Sequence, residues 1–177
     1  MGGSLTYNEL FNILCRCGTA SDWKIFVETG TYMGETIKQM APNFETLYTI
    51  EIDPILYYST SYTLKSQGIN NVNFILGDSS VELAAICETV KSPMVFFLDG
   101  HFSSGDTGRG SKDCPLLDEI KVIASRTAND VIIIDDYRLF GTKNNEDWSE
   151  ISEKAIMDIF GTPKKSFVSN DRLIIYN

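Results

Sequence analysis

Three aspartates and the single histidine of the chain follow two strongly apolar runs. Asp99 and His101 come after a Phe-Phe-Leu run, and Asp135 and Asp136 come after an Ile-Ile-Ile run. If these runs are neighbouring strands of a parallel sheet, their carboxyl ends meet at one edge and the carboxylates converge. Close carboxylates repel one another, so a divalent cation such as Mg²⁺, Mn²⁺ or Ca²⁺ is their natural counter-ion. The sequence therefore predicts a metal site at Asp99, Asp135 and Asp136.

His101 adjoins this predicted metal site and is a candidate general base. An imidazole of ordinary pKa, about 6.5, is suited to accept a proton at neutral pH. A metal ion bound to two substrate oxygens lowers the pKa of a hydroxyl. We therefore predict His101 and Asp99 as catalytic residues. The alternative that these groups only face solvent or cap the following helices stays open.

A glycine-containing loop, Glu28 to Gly34, joins the first apolar strand to a helix. Its glycines allow close approach of a ligand to the backbone, and the helix start offers free amides. In a dinucleotide-binding G-x-G-x-x-G motif the second glycine admits the pyrophosphate, and here Tyr32 has that place. The ring would obstruct a pyrophosphate, while Glu28 would attract an ammonium group. We expect a nucleoside with a cationic amino-acid substituent, contacted by Glu28, Gly30, Thr31, Tyr32 and Gly34.

Acidic residues also follow the second and third predicted strands. Glu51 is placed to accept hydrogen bonds from two ribose hydroxyls, and Ile52 follows it. Asp78 and Ser79 come after the third strand, where Asp78 could meet an adenine amino group or belong to the turn before a helix. The predicted cofactor-binding set is completed by Glu51, Ile52, Asp78, Ser79 and Asp99.

The elements that must position these residues alternate along the chain as βαβ units. The predicted strands are Lys24–Thr29, Thr46–Glu51, Asn73–Leu76, Met94–Leu98, Val131–Asp135, Lys165–Val168 and Arg172–Tyr176. Three residues join the last two strands, too few for a parallel crossover, so a terminal antiparallel hairpin is predicted. Capping residues predict helix starts at Asp53, Ser79 and Asp147. Residues 1–23 form a predicted N-terminal segment with a helix over Leu5–Cys17.

Length and charge restrict the class of protein. The chain has 177 residues, the size of one ordinary domain. It carries 24 acidic and 15 basic residues, a net charge of −9, which would repel a nucleic-acid backbone or an anionic membrane. No apolar run approaches the ~20 residues of a bilayer helix, and the N-terminus has no signal-peptide pattern. We expect a cytoplasmic protein with neither nucleic-acid nor membrane partners.

On these residues, the chain from 24 to 177 resembles the class I S-adenosylmethionine-dependent methyltransferases. The resemblance rests on E-x-G-x-x-x-G from Glu28 to Gly34, the acid Glu51, the Gly77-Asp78 pair and the terminal hairpin. It implies a doubly wound, Rossmann-like α/β domain over residues 24–177. The implied sheet has seven mostly parallel strands in the order 3-2-1-4-5-7-6, and S-adenosylmethionine is the implied cofactor.

A finer resemblance concerns the three aspartates. Asp99, Asp135 and Asp136 are similar in position to the metal-binding acids of divalent-metal O-methyltransferases, of the catechol and antibiotic sugar-hydroxyl types. This implies methyl transfer to a hydroxyl of a small molecule, such as a sugar, polyketide or phenol. Arg109, in the glycine-rich loop 102–112, and Tyr137 are predicted to contact that substrate. Because few residues precede the first strand, this loop or the partner in a homodimer could enclose the substrate, or the site could be open.

Three alternatives remain at this point. The domain could bind S-adenosylmethionine without catalysing a reaction. It could be a nicotinamide-dependent reductase, although Tyr32 argues against this. It could methylate a protein or nucleic acid, but the acidic composition disfavours nucleic acid, and the chain lacks an Asn-Pro-Pro-Tyr motif that is typical of enzymes acting on amino groups.

Overall fold

The computed structural model describes residues 3–19, 23–101 and 114–177. Two 3₁₀ turns, Ala41–Asn43 and Tyr137–Leu139, accompany the helices and strands of these ranges. The helices are α1 Tyr7–Arg16, α2 Glu35–Met40, α3 Pro54–Ser66, α4 Ser79–Thr89, α5 Leu116–Ala124 and α6 Glu153–Phe160. The strands are β1 Ile25–Thr29, β2 Thr46–Glu51, β3 Val72–Leu76, β4 Val95–Leu98, β5 Val131–Ile134, β6 Lys165–Ser169 and β7 Arg172–Tyr176.

These strands form one sheet in the order β3-β2-β1-β4-β5-β7-β6. Strands β1 to β5 pair in parallel, and β7 is antiparallel to both β5 and β6. The predicted fold class, strand order and terminal hairpin are therefore confirmed. The order reverses between β1 and β4, and open α/β sheets bind ligands at the carboxyl ends of the strands beside such a point.

Helices cover both faces of the sheet, which explains why its central strands are apolar throughout. In β4, Phe96 and Leu98 pack with the buried side chains of α4, α5 and α6. Val95 and Phe97 point to the other face and pack with those of α1, α2 and α3. No helix in the described ranges is both long and apolar enough to cross a lipid bilayer.

Of the three predicted capping residues, Asp53 is confirmed, and Ser79 and Asp147 are wrong. Helix α3 begins after Asp53, whose carboxylate accepts hydrogen bonds from the amides of Ile55 and Leu56 at 2.7 and 3.0 Å. Helix α4 begins at Ser79, but its cap is Asp78, which accepts from the amide of Ser80 at 3.0 Å. The Asp side chain, one residue before the expected serine, takes the capping position.

Helix α6 begins later than predicted. Its cap is Ser152, which accepts a hydrogen bond from the amide of Ala155 at 3.1 Å. Asp147 instead bonds the amide and hydroxyl of Ser149, a local side-chain contact that competes with helix formation. Trp148 is therefore buried in the segment before α6 and not on the helix.

The cap of α3 can be tested by substitution. Asp53→Ala should lower the free energy of unfolding by about 1 kcal/mol, because two amides lose their acceptor. Asp53→Asn keeps a side-chain oxygen and should retain most of that free energy. Urea unfolding of the three proteins measures the difference, and equal losses in both variants would contradict the capping role.

Candidate active site

A cavity of about 820 Å³ lies at the carboxyl ends of β1, β2 and β4, beside the reversal of strand order. Its volume is within the range of small-molecule sites, roughly 300–1,000 Å³. All of the predicted cofactor-binding residues line it, namely Glu28, Gly30, Thr31, Tyr32, Gly34, Glu51, Ile52, Asp78, Ser79 and Asp99. The structure therefore brings together residues that are up to 71 positions apart in the sequence.

Gly30 allows the ends of β1 and β4 to meet at the cavity floor. Its φ is +81°, and a Cβ atom there would lie 2.4 Å from the carbonyl oxygen of Asp99. Because the obstacle is backbone, no side chain can be accommodated without moving a strand end. The amide of Gly30 also donates to the carbonyl of Ile50 at 2.9 Å, which joins the floor to β2.

Tyr32, in the place of the second glycine of a dinucleotide motif, has a left-handed φ of +47° and a half-exposed side chain. Its amide donates to Oε2 of Glu51 at 2.8 Å, and the amide of Asp53 donates to Oε1 at 2.9 Å. Both oxygens of the buried Glu51 carboxylate are thus held by backbone, which leaves lone pairs for a ligand. The arrangement suits a carboxylate that must accept two hydroxyl groups.

Glu28 is almost fully buried in the cavity floor and accepts a hydrogen bond from the hydroxyl of Thr49 at 2.7 Å. Burial raises the pKa of Glu28 well above its ordinary value; the charges of Asp99 and Glu51 add to this, and the hydroxyls of Thr49 and Thr36 oppose it. Burial therefore favours the protonated form of Glu28 in the absence of a ligand. A positively charged ligand beside it would favour the ionised form.

His101 lies in a cluster of carboxylates at the other end of the cavity. Its Nε2 is 3.1 Å from Oδ2 of Asp136 and 3.7 Å from Oε2 of Glu146, and its Nδ1 is 3.5 Å from Oδ1 of Asp99. Trp148 packs edge-on against the imidazole with ring centroids 4.9 Å apart, and its indole N–H donates to Glu146 at 2.9 Å. The orientation of the imidazole is therefore fixed from several sides.

The cluster changes the proton affinities of its members. Burial disfavours a charge on His101, but the hydrogen bond with Asp136 and the charges of Asp99, Asp136 and Glu146 raise its pKa above the ordinary value. Burial, and then the charge of Asp135, raises the pKa of Asp99 to about 8. Burial also works against the charge of Asp136, but contacts with His101 and Arg138 lower its pKa overall.

The ligand atoms that could share one metal ion differ from the predicted set. In the described part of the chain, Asp99, His101 and Asp136 each offer one ligand atom, and these atoms lie within 4.8 Å of one another. Asp135 does not join them. The buried carboxylate of Asp135 lies 3.2 Å from Nε of Arg172, and Asp135 does not line the cavity.

Of the two predicted substrate contacts, the structure describes Tyr137, which it does not place in the cavity. Tyr137 packs against the apolar core, with its ring centroid 5.0 Å from that of Phe140, and does not line the cavity. Arg109 lies outside the described residues. Within the described ranges, Arg138, one residue after Tyr137, is an arginine on the cavity lining, and it donates hydrogen bonds to the carboxylates of Asp136 and Asp171.

Negative charge dominates the cavity lining. Among the described residues, the basic side chains on the lining are those of Arg138 and His101. Against these stand seven acids, which are Glu28, Glu35, Glu51, Asp78, Asp99, Asp136 and Glu146. Such a lining favours a positively charged ligand and opposes a polyanion.

Glu119 was not anticipated from the sequence. It lies on the buried face of α5, is 1% exposed, and has one carboxyl oxygen without a hydrogen-bond partner. Burial raises its pKa to about 7, although the neighbouring hydroxyls of Ser79 and Thr29 oppose this. Glu119 is three residues after Leu116 and one before Ile120, so helical spacing places it on the apolar face of α5. This spacing could have indicated a buried acid. Glu146 gave no comparable local signal.

Solved structures with a similar fold share little sequence with this chain. An rRNA methylase from Streptococcus thermophilus is 16% identical, with a TM-score of 0.51 over 88% of this chain and 86% of that one. An S-adenosylmethionine-dependent methyltransferase from Clostridium acetobutylicum is 10% identical, with a TM-score of 0.57 over 93% and 87%. A Streptococcus mutans protein in complex with SAH is 14% identical, with a TM-score of 0.60 over 99% of each chain.

At these identities the likeness establishes the fold alone. No protein-family model matches the sequence, and no curated protein does. The chemistry of the site must therefore be argued from its own residues.

The proton on Glu119 predicts a pH-dependent stability difference. An unfolded Glu ionises near 4.5, whereas folded Glu119 keeps its proton until pH is about 7. The folded state binds more protons between these values, so wild-type stability should fall relative to Glu119→Gln as pH rises from about 5 through 7, by up to about 3 kcal/mol. Thermal unfolding over this pH range measures the difference. Glu88→Gln removes an exposed carboxylate from α4 and controls for the change in net charge. If the stability of wild type and of Glu119→Gln changed equally with pH, the raised pKa of Glu119 would be contradicted.

Proposed function

We propose that this protein transfers a methyl group from S-adenosylmethionine to a hydroxyl of a small molecule. The observation that carries the proposal is the Glu51 carboxylate, held by two backbone amides at the end of β2 and open to the cavity. A carboxylate in this position accepts hydrogen bonds from a ribose diol. The alternative of a nicotinamide cofactor is disfavoured because Tyr32 stands where a pyrophosphate requires glycine.

The residues around the cavity fit each part of this cofactor. Glu51 would hold the ribose, and Asp78 and Ile52, which both line the cavity, would receive the adenine base. Glu28, at the floor between β1 and β2, would face the amino-acid portion, whose ammonium group favours its ionised form. When bound, S-adenosylmethionine supplies an electrophilic methyl group on a positively charged sulfur. The acidic lining suits that charge.

The acidic lining also supports a small, uncharged or cationic acceptor. Repulsion by the ionised acids of the lining would oppose the phosphates of a nucleic acid. The rRNA methylase of Streptococcus thermophilus shares the fold, but a shared fold does not determine the acceptor. We therefore propose a hydroxyl-bearing small molecule and no nucleic-acid partner.

His101 is the proposed proton acceptor. Asp136 contacts Nε2 and fixes the ring, so that Nδ1 is on the side of Asp99, which lines the cavity. A neutral His101 could take the proton of an acceptor hydroxyl at Nδ1 as the hydroxyl oxygen bonds to the methyl carbon. The bond from that carbon to sulfur would break at the same time, and its electron pair would stay on the sulfur of the departing S-adenosylhomocysteine. The resulting imidazolium would be stabilised by the carboxylates of Asp99, Asp136 and Glu146.

A divalent cation is compatible with the same cluster. Asp99 and Asp136 would hold it, because their oxygens lie within 4.8 Å of each other and of a His101 nitrogen. A bound cation would lower the pKa of the acceptor hydroxyl and offset the carboxylate charges that raise the pKa of His101. Asp135 would not take part, because its carboxylate is paired with Arg172.

The cofactor assignment is tested by binding of S-adenosylhomocysteine. Glu51→Ala should weaken binding by about 1–3 kcal/mol, roughly ten- to a hundredfold, since the variant loses the ribose acceptor. Glu45→Ala removes an exposed carboxylate just before β2 and should bind like wild type. Titration calorimetry measures both, with NAD⁺ as a competing candidate ligand. Failure of wild type to bind, or equal binding by Glu51→Ala, would overturn the assignment.

The roles of His101 and Asp136 can be separated without a known acceptor. Mg²⁺ or Mn²⁺ should raise the melting temperature of wild type and of His101→Gln, by about 2–4 °C for each kcal/mol by which the ion stabilises the folded state. The same ions should not raise the melting temperature of Asp136→Asn, which lacks a ligand carboxylate. Transfer of labelled methyl to a panel of sugars and phenols should then be lost in His101→Gln. If His101→Gln also loses the metal-dependent stabilisation, His101 is a metal ligand and not the base.

A further inference from the structure

The N-terminal segment, residues 3–6, forms one wall of the cavity. Gly3 and Ser4 line it, and the side chain of Leu5 is fully buried in the core shared by α1, α2 and α3. The amide of Leu5 donates to Oγ1 of Thr36 at 3.1 Å, and Thr36 itself lines the cavity. This segment is therefore part of the site, although it lies more than 20 residues before the glycine loop.

Arg172 at the start of β7 holds this wall from the opposite side. Its Nη2 donates to the carbonyl oxygen of Gly3 at 2.6 Å, and its Nη1 is 3.5 Å from Oε1 of Glu9. Its Nε is 3.2 Å from Oδ1 of Asp135. The guanidinium is 5% exposed, so each nitrogen faces a protein oxygen where water is largely excluded.

The partners of Arg172 belong to three separate parts of the chain. Glu9 also closes the capping box of α1, because it accepts from the amide of Thr6 at 3.1 Å while Thr6 accepts from the amide of Glu9 at 3.2 Å. Asp135 follows β5, directly before a member of the carboxylate–histidine cluster. One planar side chain thus joins the N-terminal wall, the start of α1 and the catalytic edge of the sheet.

We propose that Arg172 is a positioning residue that holds residues 3–6 as a strap over the bound cofactor and thereby slows its release. The inference rests on the proposed function, since it takes the nucleoside as the occupant of the cavity. Leu5 anchors the strap in the core, whereas Gly3 and Ser4 reach the cavity beyond that anchor. Arg172 is the described side chain that fixes the carbonyl of Gly3, so its loss frees this end of the strap.

The test uses Arg172→Lys and S-adenosylhomocysteine as the probe. A lysine keeps a charge for Asp135, but its ammonium cannot present the guanidinium fork to Gly3 and Glu9 as well. We expect the dissociation rate to rise about tenfold, the effect of losing a charge-assisted hydrogen bond of about 1.4 kcal/mol, with little change in the association rate. Arg16→Lys, an exposed arginine of α1 that stacks on Phe167, is the matched control and should dissociate like wild type.

Hydrogen exchange gives a second measurement, and its result for the wild-type protein does not depend on folding of the variant. S-adenosylhomocysteine should protect the amides of Ser4 and Leu5 if the strap covers it, and Arg172→Lys should lose this protection. A purely structural role would lower the melting temperature without changing the dissociation rate. Unchanged dissociation or unprotected strap amides, with normal binding by wild type, would overturn this inference alone. Absence of any binding by wild type would overturn the proposed function together with it.

Discussion

The rest of the site depends on how the protein tolerates carboxylates gathered at one edge of its sheet. Seven acids line the cavity, and Asp135 and Glu119 lie buried close to it. Such groups destabilise the folded state unless a cation, a proton or hydrogen bonds neutralise them. The structure uses all three: Arg172 faces Asp135, Glu119 retains a proton up to a pH of about 7, and backbone amides hold Glu51.

The backbone conformation determines which neutralising group lies beside each acid. Asp135 and Asp136 are adjacent, and successive side chains at the end of a strand point to opposite faces. Asp136 takes a left-handed conformation, with φ of +59°, and turns toward His101, whereas Asp135 faces Arg172. The pairing of β5 with β7 places Leu173 opposite Ile134, which brings the start of β7 beside Asp135. Two consecutive aspartates therefore have different electrostatic surroundings.

The sequence predicted the parts of the site that depend on local order along the chain. The glycine loop, Glu51 and Asp78 each follow a strand, and the parallel topology then brings those strand ends together. The contact of His101 with Asp136 and Glu146 could be predicted only in part, because Glu146 reaches the site from the segment before α6. The charge of Arg172 in an otherwise apolar strand indicates a buried partner, but strand periodicity cannot identify Asp135, Glu9 and Gly3 as those partners.

The floor of the cavity and the wall formed by residues 3–6 are held by different kinds of contact. The floor is joined by backbone hydrogen bonds from Gly30 to β2 and from Asp99 to β1, and β1 and β4 approach so closely at Gly30 that no side chain fits there. The wall formed by residues 3–6 is attached through the Leu5 side chain, Thr36 and Arg172. Opening the floor would break hydrogen bonds of the sheet. In the described part of the chain, opening the wall would separate the contacts of Leu5 with the core and with Thr36, and that of Gly3 with Arg172. An opening at the N-terminal wall would therefore leave the floor, with Glu51 and the carboxylate–histidine cluster, in place.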